Sequence, residues 1–317
     1  MRIIAIEEHY VLPQQRQHLD ASWLPDKHRR QIDATVDQRL ADMDAAGIDL
    51  QVLSVPAAQP SALPAEIVVP MYQGFNNDLH TVVTGHPDRF AAFAALPATE
   101  ANDAAAELER AVIDLGFVGA MISGTVTGRF LDHPDFIPIW ETAARLDVPL
   151  YVHPGPPPMP VMDSYYSGFR KPVNLMLANG GYGWHYETAL HAVRLIVAGV
   201  LDRWPNLKLI LGHLGEGLPF HMSRLDEVLT PLTDHPDKPI SSYIRSNFWF
   251  TTSGYFHDGP FELARQVIGD DRLIFSVDYP FADNREAGEW FAQLDLKPET
   301  RHQIAHQTAE KLLGLLT

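Results

Sequence analysis

The chain has 317 residues, no cysteine, 24 lysine plus arginine against 40 aspartate plus glutamate, and a formal net charge of −16. That acidic balance argues against a nucleic-acid-binding surface, which needs clustered cations to displace counterions from phosphates, and the missing cysteines exclude disulfides, thiolate metal sites and cysteine nucleophiles. A 46% hydrophobic fraction with 20% charged residues suits a folded globular chain, and no apolar stretch approaches the ~20 residues that span a bilayer.

The opening Met1-Arg2-Ile3-Ile4-Ala5-Ile6 runs straight into Glu7 and Glu8, too short for a signal-peptide core, so a cytoplasmic protein is expected. From there, short apolar or β-branched runs alternate with helical patterns, the rhythm of parallel strands buried on both faces. The predicted strands are Ile3–His9, Leu50–Pro56, Phe90–Pro97, Phe117–Ser123, Pro149–Gly155, Lys208–Gly215, Phe248–Gly254 and Leu273–Pro280. Helical patterns follow them at Val36–Ala46, Ala65–Thr84, Ala101–Leu115, Phe136–Leu146, Tyr186–Asp202, Pro219–Leu229, Phe261–Ile268 and Arg285–Leu294, with a last helix at Thr300–Leu315. Eight strand–helix units without a composition break predict one α/β domain over residues 1–317, a (β/α)8 TIM barrel rather than two domains.

Segments leading into strands are mostly brief turns, such as Gly47-Ile48-Asp49 and His86-Pro87-Asp88-Arg89. Those leaving strands are longer: Tyr10–Thr35, Ala57–Pro64 and above all Pro156–Trp184, an aromatic- and proline-rich excursion expected to act as a lid. Long loops after the strands build the mouth where barrel enzymes place their chemistry. Thr230–Asn247 breaks the pattern, being long and preceding a strand.

Fifteen histidines are more than one site can use, and position is the filter. In a barrel, the C-terminal ends of the strands face one small volume. Glu7 and His9 end the first run, with i, i+2 spacing that puts both on one face; His153, His213 and Asp278 end the fifth, sixth and eighth. A lone strand-end histidine is more often scaffolding. Five acids and imidazoles at four separate strand ends are costly to bury without a partner, and this oxygen and nitrogen set suits Zn2+, Mn2+ or a similar divalent ion. Elsewhere, Glu187, His191 and Arg194 form one helical stripe expected to buttress the barrel or an interface. His185 lies where the long excursion meets its helix, within reach of a substrate, and Phe281 is placed to wall an aromatic ring or to pack in the core. His18, His28, His86, His133, His235, His257, His302 and His306 have no convergent partners in the sequence.

In several segments the chain resembles the metal-dependent amidohydrolase superfamily, in its branch of nonoxidative aromatic acid decarboxylases. These are Ile4-Ala5-Ile6-Glu7-Glu8-His9, Asp42–Ile48 with Leu53-Ser54, Phe93–Pro97, Leu115–Ala120, Leu150–Pro154, Gly212–Pro219 and Phe275–Phe281. The resemblance runs in order along essentially the whole chain. It implies one divalent metal ion per subunit, Zn2+ or Mn2+, held by Glu7, His9, His153 and Asp278, with His213 beside the metal and Glu216 orienting His213. It also implies a small aromatic carboxylic acid substrate whose carboxylate meets Arg224, and a homodimer or homotetramer. For Arg224 the residues themselves allow an i, i+3 surface pair with Glu227 instead. Three positions depart from the branch: Ser123 stands in place of an asparagine associated with substrate contact, Gly155 follows His153-Pro154 where some members carry arginine, and Ala305–Ala309 lacks a common Gly-Asn pair.

In such enzymes the metal chelates the substrate's carboxylate and ortho oxygen, and the aspartate corresponding to Asp278 delivers a proton to the ring carbon that loses carbon dioxide. Hydrolytic relatives usually show His-x-His on the first strand. Glu7 in place of the first histidine gives a more neutral metal that acidifies bound water less, which favours decarboxylation of a hydroxylated or methoxylated benzoate. The alternative is a hydrolase of a lactone, ester or amide with Asp278 as base. A catalytically silent barrel kept for binding is the third reading.

Overall fold

The computed structural model describes residues 1–16, 26–56, 63–234 and 237–315. The strands are β1 (Ile4–His9), β2 (Leu50–Ser54), β3 (Phe90–Ala92), β4 (Ala94–Ala95), β5 (Ala120–Ser123), β6 (Leu150–His153), β7 (Leu209–Leu211), β8 (Phe248–Thr251) and β9 (Leu273–Ile274). All neighbours are parallel, in two ribbons ordered β1-β2-β3 and β4-β5-β6-β7-β8-β9.

Both seams between the ribbons are bridged. The third predicted run passes from one ribbon to the other at Phe93: Phe93 N–H donates to Leu53 O at 2.8 Å, and Ala94 N–H to Gly119 O at 2.9 Å. At the other seam Asp278 N–H donates to Glu7 O at 3.0 Å, and His9 N–H to Tyr279 O at 2.6 Å. The fold is the expected (β/α)8 barrel. The eighth run is strand only over Leu273–Ile274, because beyond it the backbone is held by side chains. Thr252 Oγ1 accepts from Ser276 N at 2.9 Å, and Glu8 Oε1 accepts from Val277 N at 2.8 Å.

The first strand contains the irregularity that builds the site. Ile4 and Ile6 belong to the barrel's inner cluster with Val52, Phe93, Tyr151, Ile210 and Ile274, closed off by Leu312 and Leu313 of the last helix; Ala5 and Leu53 pack in the outer layer with the helices. Strict alternation would turn Glu7 and His9 outward. Instead the β1–β2 register slips between Ala5 and Glu8, a bulge that re-aims every later side chain. Glu7 and His9 then face the barrel mouth, and Glu8 points into the outer layer, where it meets Gln51 and Ser276.

Outside the barrel, helix ends follow local chemistry. Thr35 and Gln38 form a reciprocal capping box at the start of helix Val36–Ala46, and Gly47 ends that helix in the left-handed region. Two predicted continuous helices are interrupted by a wide π-turn, Leu225–Leu229 after Leu218–Arg224 and Gln303–Gln307 before Thr308–Leu313. Part of Thr230–Asn247 is a helix, Ile240–Asn247, whose Ile240, Tyr243, Ile244 and Asn247 are buried at helical spacing. The excursion after β6 carries the helices Met159–Tyr165 and Lys171–Ala178, and the next helix, Gly183–Val197, begins inside it, three residues before the expected start. Residues 17–25 of the Tyr10–Thr35 loop, with His18, and residues 57–62 of the Ala57–Pro64 loop lie outside the described residues, as does His235.

Candidate metal centre

Glu7, His9, His153 and Asp278 meet at one point of the barrel mouth, each offering a ligand atom within 4.8 Å of the others. His153 Nε2 lies 3.2 Å from Glu7 Oε1, and His9 Nε2 lies 3.3 Å from Asp278 Oδ1. The outer nitrogens are already engaged. His153 Nδ1 faces the Pro154 carbonyl at 2.7 Å, so it carries a proton there, and His9 Nδ1 pairs with Ser54 Oγ at 2.9 Å. The His153 Nε2 lone pair is thereby free to point inward, and His9 Nε2 faces the same volume.

Glu7 is completely buried, and its two oxygens have different fates. Oε2 accepts from the hydroxyls of Tyr151 and Ser253 and, at 3.0 Å, from Thr251. Oε1 has no hydrogen-bond partner although it is buried. Burial alone would raise the Glu7 pKa, yet His213, His153 and His9 hold it well below the carboxylate range; Asp278 is likewise pulled down by His213 and His9 against its own burial. Two ionised carboxylates, two directed imidazoles and an orphaned buried oxygen are the donor set of a divalent cation, and these residues fit one.

His213 stands beside this set, with Nε2 3.8 Å from Asp278 Oδ2 and 4.0 Å from Glu7 Oε1. Its Nδ1 pairs with Glu216 Oε1 at 2.8 Å. Burial would lower its pKa, but Glu216, Glu7 and Asp278 raise it well above the histidine value. The backbone needed to place this pair is unusual: His213, Leu214, Gly215, Glu216 and Gly217 all have positive φ, from 50° to 83°. The three non-glycine residues each cost about 1–2 kcal/mol there, offset by Leu214 N–H to Thr251 O at 2.8 Å and His213 N–H to Ser253 Oγ at 3.1 Å. A Cβ at Gly215 would meet the Phe250 ring at 2.5 Å, and one at Gly212 would meet Glu7 Oε2 at 2.7 Å. The Gly-His-Leu-Gly-Glu-Gly motif is therefore a packing requirement of the site.

Asp278, also at positive φ (74°), is fixed by a residue the sequence reading passed over. Glu8 accepts from the N–H groups on either side of it, Val277 at 2.8 Å and Tyr279 at 3.2 Å. Burial pushes the Glu8 pKa up to about 8 despite those bonds and the nearby Arg39. Arg39 in turn donates to Gln51 and to His9 O, both at 2.7 Å, and lies over the Tyr279 ring. The i, i+2 spacing groups Glu7 with His9, and the bulge turns that pair, rather than Glu8, to the mouth.

Of the residues expected at the substrate, Ser123 pairs in register with His153 and brings its Oγ to 3.4 Å from His153 Nδ1, and the Phe281 ring lies 5.5 Å from that of His9. Arg224 is not brought to the cluster: it is exposed at the end of helix Leu218–Arg224, and among the described residues it has neither the expected pair with Glu227 nor another ion pair. Gly155 is packed against Gly124, where a Cβ would come within 2.6 Å of the Gly124 Cα; the backbone here excludes the arginine of some relatives. The stripe is a buttress: His191 Nε2 accepts from Leu131 N–H at 2.9 Å and Arg194 grips Asp132 with two hydrogen bonds. Among the histidines without expected partners, His28 bonds the distant Pro280 O at 2.9 Å, and His306 pairs with Glu310 one turn away at 2.9 Å. The Ala305–Ala309 departure falls on the second π-turn, where Ile304 O receives Phe275 N–H at 3.0 Å. A cavity of about 260 Å3 adjoins His213 and Glu216, bordered by His185, Tyr182, Tyr255 and Phe220.

The amidohydrolase family model matches residues 9–315. The chain belongs to this family. It is 35% identical to a γ-resorcylate decarboxylase of Rhizobium sp., over 98% of each chain, and 37% identical to decarboxylase orsB of Emericella nidulans, over 87% of this chain and 85% of that one. The crystal structure of a dihydroxybenzoic acid decarboxylase from Polaromonas, with bound manganese and the inhibitor 2-nitroresorcinol, superposes with a TM-score of 0.89 at 34% identity, covering 99% of this chain and 97% of that chain. Within the amidohydrolase superfamily the chain is a carboxy-lyase of the aromatic acid decarboxylase branch.

Proposed function

We propose that this protein is a metal-dependent nonoxidative decarboxylase of a hydroxylated or methoxylated benzoic acid. The observation that carries the proposal is the four-residue cluster with Glu7 Oε1 left unpaired at its centre, in a chain matched end to end by γ-resorcylate decarboxylases. Glu7, His9, His153 and Asp278 would hold one divalent ion, and the manganese of the Polaromonas neighbour favours Mn2+ over Zn2+. When bound, that ion supplies Lewis-acid chelation of the substrate's carboxylate and ortho oxygen.

The protein's own groups do the rest. Asp278, between His9 and His213, relays to the ring carbon bearing the carboxylate a proton drawn from His213 Nε2, 3.8 Å from its Oδ2, and His213 regains that proton from solvent. Protonation there interrupts aromaticity; the C–C bond then breaks, its electron pair returns to the ring, and carbon dioxide leaves. His213 faces the same volume through Nε2 and orients the ortho hydroxyl, while Glu216 fixes its tautomer through Nδ1. Phe281 would wall the ring and Ser123 would line the mouth beside His153. For Arg224, contact with the substrate carboxylate requires another subunit's site, since it is exposed here. Assembly as a homodimer or homotetramer is supported by exposed Tyr182, Tyr186, Leu190 and Phe220. We also take residues 1–317 as one barrel domain, with 156–184 as its lid. Among the described residues no helix is long and apolar enough to cross a membrane, and we take the setting as cytoplasmic.

The test is a panel of salicylate, resorcylate and dihydroxybenzoate analogues given to the Mn2+-loaded enzyme. Carbon dioxide release from at least one supports the proposal. Release from none, with lactones or amides opened and solvent oxygen-18 found in the acid product, would replace it by hydrolysis.

A further inference from the structure

Glu216 is 2% exposed, and among the described residues its carboxylate is reached by two imidazoles, one on each oxygen. His213 takes Oε1. The other is His185, whose Nδ1 lies 2.6 Å from Glu216 Oε2 and whose ring centroid is 4.8 Å from that of His213. His185 is 7% exposed and stands in the first turn of helix Gly183–Val197, so its position is tied to the excursion that precedes it. Its Nε2 faces that excursion: the Trp184 indole N–H approaches at 3.3 Å and Gly180 O at 3.2 Å. Trp184 also lies edge-on to the metal-site residue His153, with centroids 6.5 Å apart.

A nitrogen facing a carboxylate oxygen at 2.6 Å carries a proton. With Nδ1 protonated, Nδ1–H donates to Glu216, while Nε2 faces the excursion, where it accepts from the Trp184 indole or, if it too is protonated, donates to Gly180 O. The order is then Trp184 indole, His185, Glu216 and His213, ending with His213 Nε2 in the reaction volume. We propose that His185 is a positioning residue: by holding Glu216 Oε2 it aims Oε1 at His213 Nδ1, and it makes that alignment depend on the seating of the segment around Gly180 and Trp184. Without the His185 donor, Glu216 has a buried oxygen with no partner and is free to turn, and His213 loses the acceptor that fixes its proton on Nδ1. This rests on the decarboxylase reading for its catalytic consequence, but not for the geometry.

The experiment compares His185→Phe, which keeps the ring and removes the donor, with His185→Asn, whose side-chain amide N–H stands near the original Nδ1. On the Mn2+-loaded enzyme, H185F should lose about 10- to 100-fold in kcat with KM and metal content unchanged, and H185N should restore most of that loss. Independently of turnover, metal-free protein with 15N-labelled histidine should show a downfield Nδ1–H resonance of His213 that persists in H185N and disappears through exchange in H185F. Unchanged kcat and an unchanged resonance in H185F would overturn the proposal. So would equal losses in both variants accompanied by a lower Tm, which would mark His185 as merely structural. If the wild-type enzyme releases no carbon dioxide from any hydroxybenzoate, the decarboxylase reading fails while the resonance still decides the role of His185.

Discussion

The strand-end cluster and the excursion after β6 sit at the same mouth but are built on opposite terms. Around Glu7, His9, His153 and Asp278, nearly every polar atom is buried and answered by a neighbour: three hydroxyls on Glu7 Oε2, Ser54 on His9, the Pro154 carbonyl on His153, and Glu8 on both sides of Asp278. In the excursion, Met159, Tyr165 and Phe169 are more than half exposed, and the helices there are seven and eight residues long. The first region holds one geometry because moving any member strands a buried polar group. The second has few such penalties. On the proposed function, reaction chemistry is assigned to the first region and part of the choice of substrate to the second.

The largest effect that can break this contrast is at Asp278. Asp278→Asn removes the proposed proton carrier and one proposed ligand oxygen, and kcat for carbon dioxide release should fall by about 10³-fold or more; a small loss would mean the cluster is not where reaction occurs. Next is Gly212→Ala. The added methyl is forced to within 2.7 Å of Glu7 Oε2, so Mn2+ affinity measured by calorimetric titration should weaken about 10- to 100-fold. Unchanged affinity would show the cluster to be as tolerant as the excursion.

A pH experiment sharpens the contrast at the buttress between the two. Burial lowers the His191 pKa from 6.5 to about 4. The unfolded chain therefore takes up a proton that the folded one refuses over that interval. The stabilisation from neutral His191 is complete above pH 6.5 and is lost as pH falls to about 4, a loss of about 3 kcal/mol. His191→Gln, which keeps an acceptor for Leu131 N–H, should flatten this part of the Tm–pH curve; an equal slope in both proteins would assign the acid sensitivity elsewhere. The smallest expected effects are in the excursion. Tyr165→Ala and Phe169→Ala should change stability by no more than about 0.5 kcal/mol in thermal unfolding and alter KM across a substrate panel more than kcat for any one acid.

Much of this was legible in the chain. The eight apolar runs, the capped helix at Thr35 and the Gly-His-Leu-Gly-Glu-Gly motif depend on neighbours close in sequence, and they fixed the barrel and the spacing of the site residues along it. Helix Ile240–Asn247 was not legible in the chain, where Thr230–Asn247 reads only as a long segment before a strand; two serines and an asparagine weaken its intrinsic propensity, and its burial decides it. The seam of the barrel was also less legible, because the last run is held to the first largely by side chains of Glu8, Thr252 and Ser276 rather than by a strand ladder.

Composition and pattern by themselves determined the fold class, the convergence of acids and imidazoles at strand ends, and the suitability of that set for a divalent ion. The spacing paired Glu7 with His9, but tertiary structure alone turned that face into the mouth, since the bulge between Ala5 and Glu8 reverses the parity set by Ile4 and Ile6. It alone turned Arg224 outward, closed Gly155 against Gly124, and joined His185 to Glu216 across 31 residues of sequence. The reason is common to all of these: local patterns record what a residue prefers beside its neighbours, whereas a buried hydrogen bond or a backbone clash exists only once distant segments have been brought into contact.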